Sequence, residues 1–222
     1  MKKIFSLVII LLLIFTASFS IVACNKDNRE YNADISESDV ALLTLFTSNG
    51  KEDHLGLFNL GHSFLSLENL TDNHLKLNNM SIKPKSTITI GSWPILEHFG
   101  IWYNVESNYI TNHDKYDGRL SITIGIDNDD ISILSNFIKD YDIWSPINNC
   151  SRFALSFWNT VASTTEYIDK PLIFSPSYIA KELKKFDTCE INKNIKTDKT
   201  MGYFNNNSFV SFNIEGGTNE SI

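Results

Sequence analysis

Two short stretches carry residue types that can do covalent chemistry together. One is Gly61-His62-Ser63-Phe64, and the other is Asn148-Asn149-Cys150-Ser151-Arg152-Phe153, about ninety residues later. A cysteine nucleophile must ionise near neutral pH, needs a base, and needs donors for the oxyanion it creates. A helix start meets the first need, because free N–H groups and the helix dipole favour the thiolate and lower a thiol pKa of about 8.5. Asn149 is a good N-cap type, which puts Cys150 at the first helical position. The backbone N–H groups of Cys150 and Ser151 can then donate to an oxyanion. His62, on an adjacent strand, can supply the base, with a third polar group to orient its ring.

Competing uses of these residues are few. Cys189 follows the end of a helix in Phe186-Asp187-Thr188-Cys189-Glu190, where nearby carboxylates oppose ionisation, so of the two it is Cys150 that fits a nucleophile. A Cys150–Cys189 disulfide is the alternative for an exported chain. His54, His98 and His113 are scattered, and no HExxH or paired Cys/His spacing suggests zinc. Asp127-Asn128-Asp129-Asp130 lacks the glycine and terminal glutamate of an EF-hand, and reads as helix capping. There is no glycine-rich phosphate loop and no Gly-x-Ser-x-Gly elbow. A net charge of −7 with scattered lysines gives no footprint for nucleic acid.

The elements that must position the pair follow from periodicity. Residues 41–47, 61–68, 74–82, 87–91 and 118–126 read as strands, with 61–68 and 74–82 an antiparallel pair. Ile131, Leu134, Phe137, Ile138 and Tyr141 then recur at helical spacing. Further helices are predicted from Cys150 to Ala162 and after Pro176, a good first-turn residue. A short strand is expected at Phe209–Phe212. Strands first and helices second predict an α+β domain.

The N-terminus has a different character. Lys2 and Lys3 precede a nearly unbroken apolar run, Ile4 to Phe15, followed by smaller residues. About a dozen apolar residues suit a secretory signal, whereas a spanning helix needs roughly 20. Ile21-Val22-Ala23-Cys24 resembles a bacterial lipobox. That resemblance implies cleavage before Cys24, diacylglycerol on its thiol, and an extracytoplasmic protein held to a membrane by that lipid. Removing residues 1–23 leaves 199 residues and takes the net charge to −9, because Lys2 and Lys3 leave. The expected organisation is a signal peptide at 1–23, a flexible tether at 24–38, one domain at 39–190, and a polar extension at 191–222.

The Gly-His strand followed later by Asn-Cys-Ser at a helix start resembles the circularly permuted papain-like hydrolases. These are relatives of the NlpC-type cell-wall peptidases and the lecithin:retinol acyltransferase-like proteins, in which His precedes Cys. The resemblance covers roughly residues 40–186. It implies a permuted papain-like architecture, an antiparallel sheet followed by helices, with Cys150 as nucleophile and His62 as base. It places the third residue on the strand after the His strand: Asn79, with Asn78 or His74 as alternatives. It implies hydrolysis of amide bonds through an acyl-enzyme, with cell-wall (peptidoglycan) peptide as substrate and no metal or organic cofactor. Two alternatives stay open: a binding module on the same fold, and an acyl ester or lipid hydrolase or acyltransferase. The segments Gly91-Ser92-Trp93-Pro94 and Gly100 to Asn104 belong to the same resemblance without an assigned role.

Overall fold

The computed structural model describes residues 35–49, 61–113, 115–195 and 200–212. Its elements in chain order are β1 (Ala41–Ser48), β2 (His62–Asn69), β3 (Leu75–Leu77), β4 (Met80–Ile82), β5 (Thr87–Ile95), β6 (His98–Tyr103), α1 (Val105–His113), β7 (Leu120–Ile126), α2 (Asn128–Tyr141), α3 (Cys150–Val161), α4 (Pro176–Leu183), β8 (Glu190–Ile191), β9 (Met201–Asn205) and β10 (Ser208–Phe212). Eight strands make one antiparallel sheet in the order β10-β9-β6-β5-β2-β1-β7-β8, and β3 and β4 form a separate hairpin. The fold is α+β. Cys24 lies outside the described residues.

Both faces of the central strands are covered, which explains why β1, Ala41-Leu42-Leu43-Thr44-Leu45-Phe46-Thr47, reads as nearly continuous apolar chain. Leu43, Leu45, Leu65, Leu67, Ile90 and Ile122 share one core with Leu134, Phe153, Phe157, Trp158, Ile179 and Leu183 of the three later helices. Phe46, Phe64, Trp93, Trp102, Tyr116 and Met201 make a second core cluster. The helices start where the chemistry of their caps dictates. Asp127 accepts from the N–H groups of Asp129 and Asp130 to start α2, and Ser175 accepts from Tyr178 N–H to start α4.

The expected pairing of 61–68 with 74–82 does not form. β2 instead lies between β1 and β5, while Leu75–Leu77 folds back on Met80–Ile82 through a turn in which Asn78 has φ of 52°. The excursion is closed by Asn69, which is fully buried. Its amide donates to the carbonyls of Asn73, Ile82 and Lys83, and its oxygen accepts from the backbone and hydroxyl of Thr71. That hub removes residues 70–86 from the sheet and lets β5 pair with β2. Strand β6 and helix α1 were not anticipated. Beyond residue 190, β9 joins β6 and buries Met201, so the sheet continues past the expected domain edge.

Replacing Asn69 with Ala would remove its three donations to carbonyls and the acceptor of the Thr71 backbone and hydroxyl, all within a buried turn. We expect urea denaturation of Asn69→Ala to show a loss of about 2–4 kcal/mol. Alkylation of Cys150 should keep its native rate, because the hub stands apart from the thiol.

Candidate active site

Helix α3 is fixed at its start by Asn149, whose Oδ1 accepts from Arg152 N–H at 3.0 Å. The same amide donates to the carbonyls of Pro146 and Phe174 at 3.3 and 3.2 Å. The helix ladder opens with Phe153 N–H donating to Asn149 O at 2.9 Å, so the N–H groups of Cys150 and Ser151 precede it. Buried Phe153, Phe157 and Trp158 hold the helix against the sheet. Cys150, half-buried at its tip, is a free cysteine, which rules out a disulfide with Cys189.

His62 begins β2, directly after Gly61. A Cβ on Gly61 would lie 2.3 Å from the carbonyl of Ser48 and 3.0 Å from Pro176 Cβ, and its φ is +81°. Only glycine fits both the space and the conformation. The close approach sets His62 opposite Ser48 in register and brings the start of α4 alongside.

A chain of buried hydroxyls links this strand to the thiol. Thr47 Oγ1 donates to Pro176 O at 3.1 Å and lies 3.0 Å from Ser63 Oγ, which lies 3.2 Å from Ser151 Oγ. Because Thr47 spends its proton on Pro176, Ser63 donates to Thr47. The Ser151 proton is then left to choose between Ser63 Oγ and Cys150, and a charged sulfur is the stronger acceptor. Ser63 N–H also donates to Cys150.

The partner of His62 is Glu106, the second residue of α1. His62 Nε2 lies 3.0 Å from Glu106 Oε1, which leaves Nδ1 to face Cys150. Trp93 Nε1 donates to the same carboxylate oxygen at 2.6 Å. Glu106 has no exposed surface, and its Oε2 has no protein partner. A buried carboxylate so sparsely bonded needs a counter-charge, and the imidazolium supplies it. Helix α1 also presents its positive end to the carboxylate. Asn104 precedes that helix, and its amide donates to Thr200 O and accepts from Thr89 N–H. The carboxylate can reach β5 only because residue 91 has no side chain. A Cβ there would sit 1.7 Å from Glu106 Oε1.

The electrostatics follow from this packing. Burial alone would lower the His62 pKa, but the Cys150 sulfur and then Glu106 outweigh it and raise it to about 9. Burial works against the Cys150 thiolate too, yet His62, Ser63 N–H and Ser151 bring the thiol pKa below its ordinary value. The arrangement favours a thiolate–imidazolium pair over the neutral thiol and imidazole. Trp93 covers the ring at a centroid distance of 4.1 Å, with Tyr116 at 5.7 Å and Phe64 at 5.9 Å. Excluding water from the pair strengthens it.

The structure therefore brings Cys150, the Ser151 backbone and His62 together, and does not bring in the three residues expected to complete them. Asn79 is exposed and donates to Asn207, Asn78 N–H donates to Ser135 on α2, and His74 bonds Ser81. All three sit on the β3–β4 hairpin, and Asn78 and Asn79 line a separate pocket of about 260 Å³ with Tyr103, Asp142 and Phe204. Sequence reading missed Glu106 because it looked for the orienting group on the strand after the His strand. The signal present was an acidic residue in the first turn of that helix, two positions past Asn104. No grouping of His, Cys, Asp and Glu suited to a metal occurs among the described residues. No family model, curated protein or solved structure matches the chain.

Gly91→Ala tests the geometry without removing a polar group. It should expel the Glu106 carboxylate and slow iodoacetamide alkylation of Cys150 at neutral pH by about tenfold, the equivalent of one pKa unit. Ser151→Ala should shift the same pH–rate profile upward by a smaller amount. An unchanged profile in both variants would show that neither group governs the thiol.

Proposed function

We propose that this protein is a cysteine hydrolase of permuted papain-like type, held on the outer side of a bacterial membrane by lipid on Cys24, that cleaves amide bonds of cell-wall peptides. The observation that carries the reading is Cys150 at a helix start, in contact with His62, which is held by buried Glu106. The order of His62 on a strand before Cys150 on a helix fits the permuted arrangement.

In this mechanism the Cys150 thiolate attacks the amide carbonyl carbon, forming a C–S bond and an oxyanion. The N–H groups of Cys150 and Ser151 donate to that oxyanion. The His62 imidazolium gives its proton to the leaving nitrogen as the C–N bond breaks, and a thioester remains on Cys150. Neutral His62 then takes a proton from water, which attacks the thioester. The acid departs and the thiolate–imidazolium pair is restored. Glu106 accepts from Nε2–H and fixes the ring, so that Nδ1 does the proton transfer.

A second reading, with an acyl ester in place of the amide, is favoured by Leu172 and Ile173, exposed apolar residues on the segment that the Phe174 carbonyl ties to Asn149 beside Cys150. Both readings run through the same thioester.

Cys150→Ser should reduce turnover of a chromogenic anilide or ester by roughly a thousandfold or more. Acylation should fall as pH rises past about 9, where the raised His62 pKa is crossed and the leaving group loses its proton donor. Alkylation by iodoacetamide needs only the thiolate, and should not fall there. Coincident loss of both at high pH would indicate unfolding rather than titration of His62.

A further inference from the structure

The five most exposed large apolar side chains among the described residues are Leu172, Leu96, Ile173, Ile147 and Ile143, at 100, 88, 77, 76 and 65 % exposure. All five lie on three segments that frame the start of α3. Leu96 is in the β5–β6 turn. The register Leu65↔Ile90 carries β5 past His62 to that turn. Ile143 and Ile147 precede Cys150, and Leu172 and Ile173 precede α4. The segments are joined: Trp144 N–H donates to Phe99 O at 3.0 Å, and the Asn149 amide bridges the carbonyls of Pro146 and Phe174. Asp142 ties the first of these loops to β6, accepting from Ile101 N–H at 2.6 Å and lying 2.8 Å from His98 Nε2.

We propose that this rim docks on a lipid bilayer, so that the mouth of the site opens at the headgroup layer. The proposal rests on the hydrolase reading for the nature of the site, and adds where it works. Three observations favour a bilayer over a protein partner. The tips protrude as near-fully exposed aliphatic chains, a shape suited to insertion in fluid hydrocarbon. The loop backbone is already bonded within the protein. The carbonyls of Ile143, Pro146, Asn148 and Phe174 accept, and the N–H groups of Ile143, Trp144, Ser145 and Asn148 donate, so leaving water costs the loop little. The stretches 143–149 and 171–180 carry no charged side chain in a chain of net charge −7, so attachment depends on apolar insertion rather than on charge.

The test uses the full lipidated chain in phosphatidylcholine vesicles doped with a spin-labelled phosphatidylcholine. Trp144 packs beside the rim, edge-on to Phe99, and its emission is read as the difference between the native protein and Trp144→Phe. The expected result is quenching of that difference signal, retained at high salt, and lost in the double variant Leu172→Asp, Ile173→Asp. An unquenched Trp144, or quenching indifferent to the two aspartates, overturns the proposal. So does a dimer in sedimentation velocity that the same aspartates dissolve, since the rim would then bind a second copy. Iodoacetamide reactivity of Cys150 in the same samples separates the two claims. An activated thiol with unquenched Trp144 defeats docking alone, and an inert thiol with quenched Trp144 defeats the hydrolase alone.

Discussion

A carboxylate with no exposed surface lies 3.0 Å from an imidazole, and the second oxygen of that carboxylate has no protein partner. Such a group is costly unless a positive charge balances it. The imidazolium of His62 is that charge, and the proton it carries is the one that makes a thiolate of Cys150 affordable in a partly buried place. The three groups are therefore one electrostatic unit. Loss of Glu106 would lower the His62 pKa, and a neutral His62 would let the thiol return towards its ordinary value.

Much of the surrounding architecture can be understood as what keeps this unit dry and in register. Two glycines act by having no Cβ: Gly61 allows β2 to start against Ser48 and Pro176, and Gly91 lets Glu106 reach across β5. Trp93 both donates to the carboxylate and covers the imidazole. The hydroxyl series from Thr47 through Ser63 to Ser151 ties the His strand, the Cys helix and the start of α4 together, and leaves one proton for the sulfur. These contacts join β1, β2, β5, α1, α3 and α4, so the unit cannot form before most of the sheet has.

What could be read from the sequence was local. The cap at Asn149, the helical stripe Phe153–Phe157–Trp158 and the alternation in 118–126 depend on neighbours in the chain, and each element formed as expected. The order of strands before helices gave the α+β class. The errors were non-local. Pairing of β2 with β5 rather than with 74–82 depends on the fully buried Asn69, and nothing in the motif Glu68-Asn69-Leu70 distinguishes such a hub from an ordinary turn asparagine. Glu106 escaped notice for a similar reason, since its role is set by a glycine fifteen residues earlier and by a histidine on another strand. Gly91-Ser92-Trp93 and Asn104 stood out as a pattern without a role. The structure gives Gly91 and Trp93 one, in holding the carboxylate.

The most direct measurement is the pH titration of the Cys150 thiolate by its ultraviolet absorbance, taken as the difference between the native protein and Cys150→Ser, with Glu106→Ala as the comparison. Thiolate signal persisting well below the ordinary thiol pKa of about 8.5, and moving up towards it in Glu106→Ala, is the result expected of a thiolate–imidazolium pair held by a buried carboxylate. A native thiolate that appears only near about 8.5, or a titration that Glu106→Ala leaves in place, would contradict it.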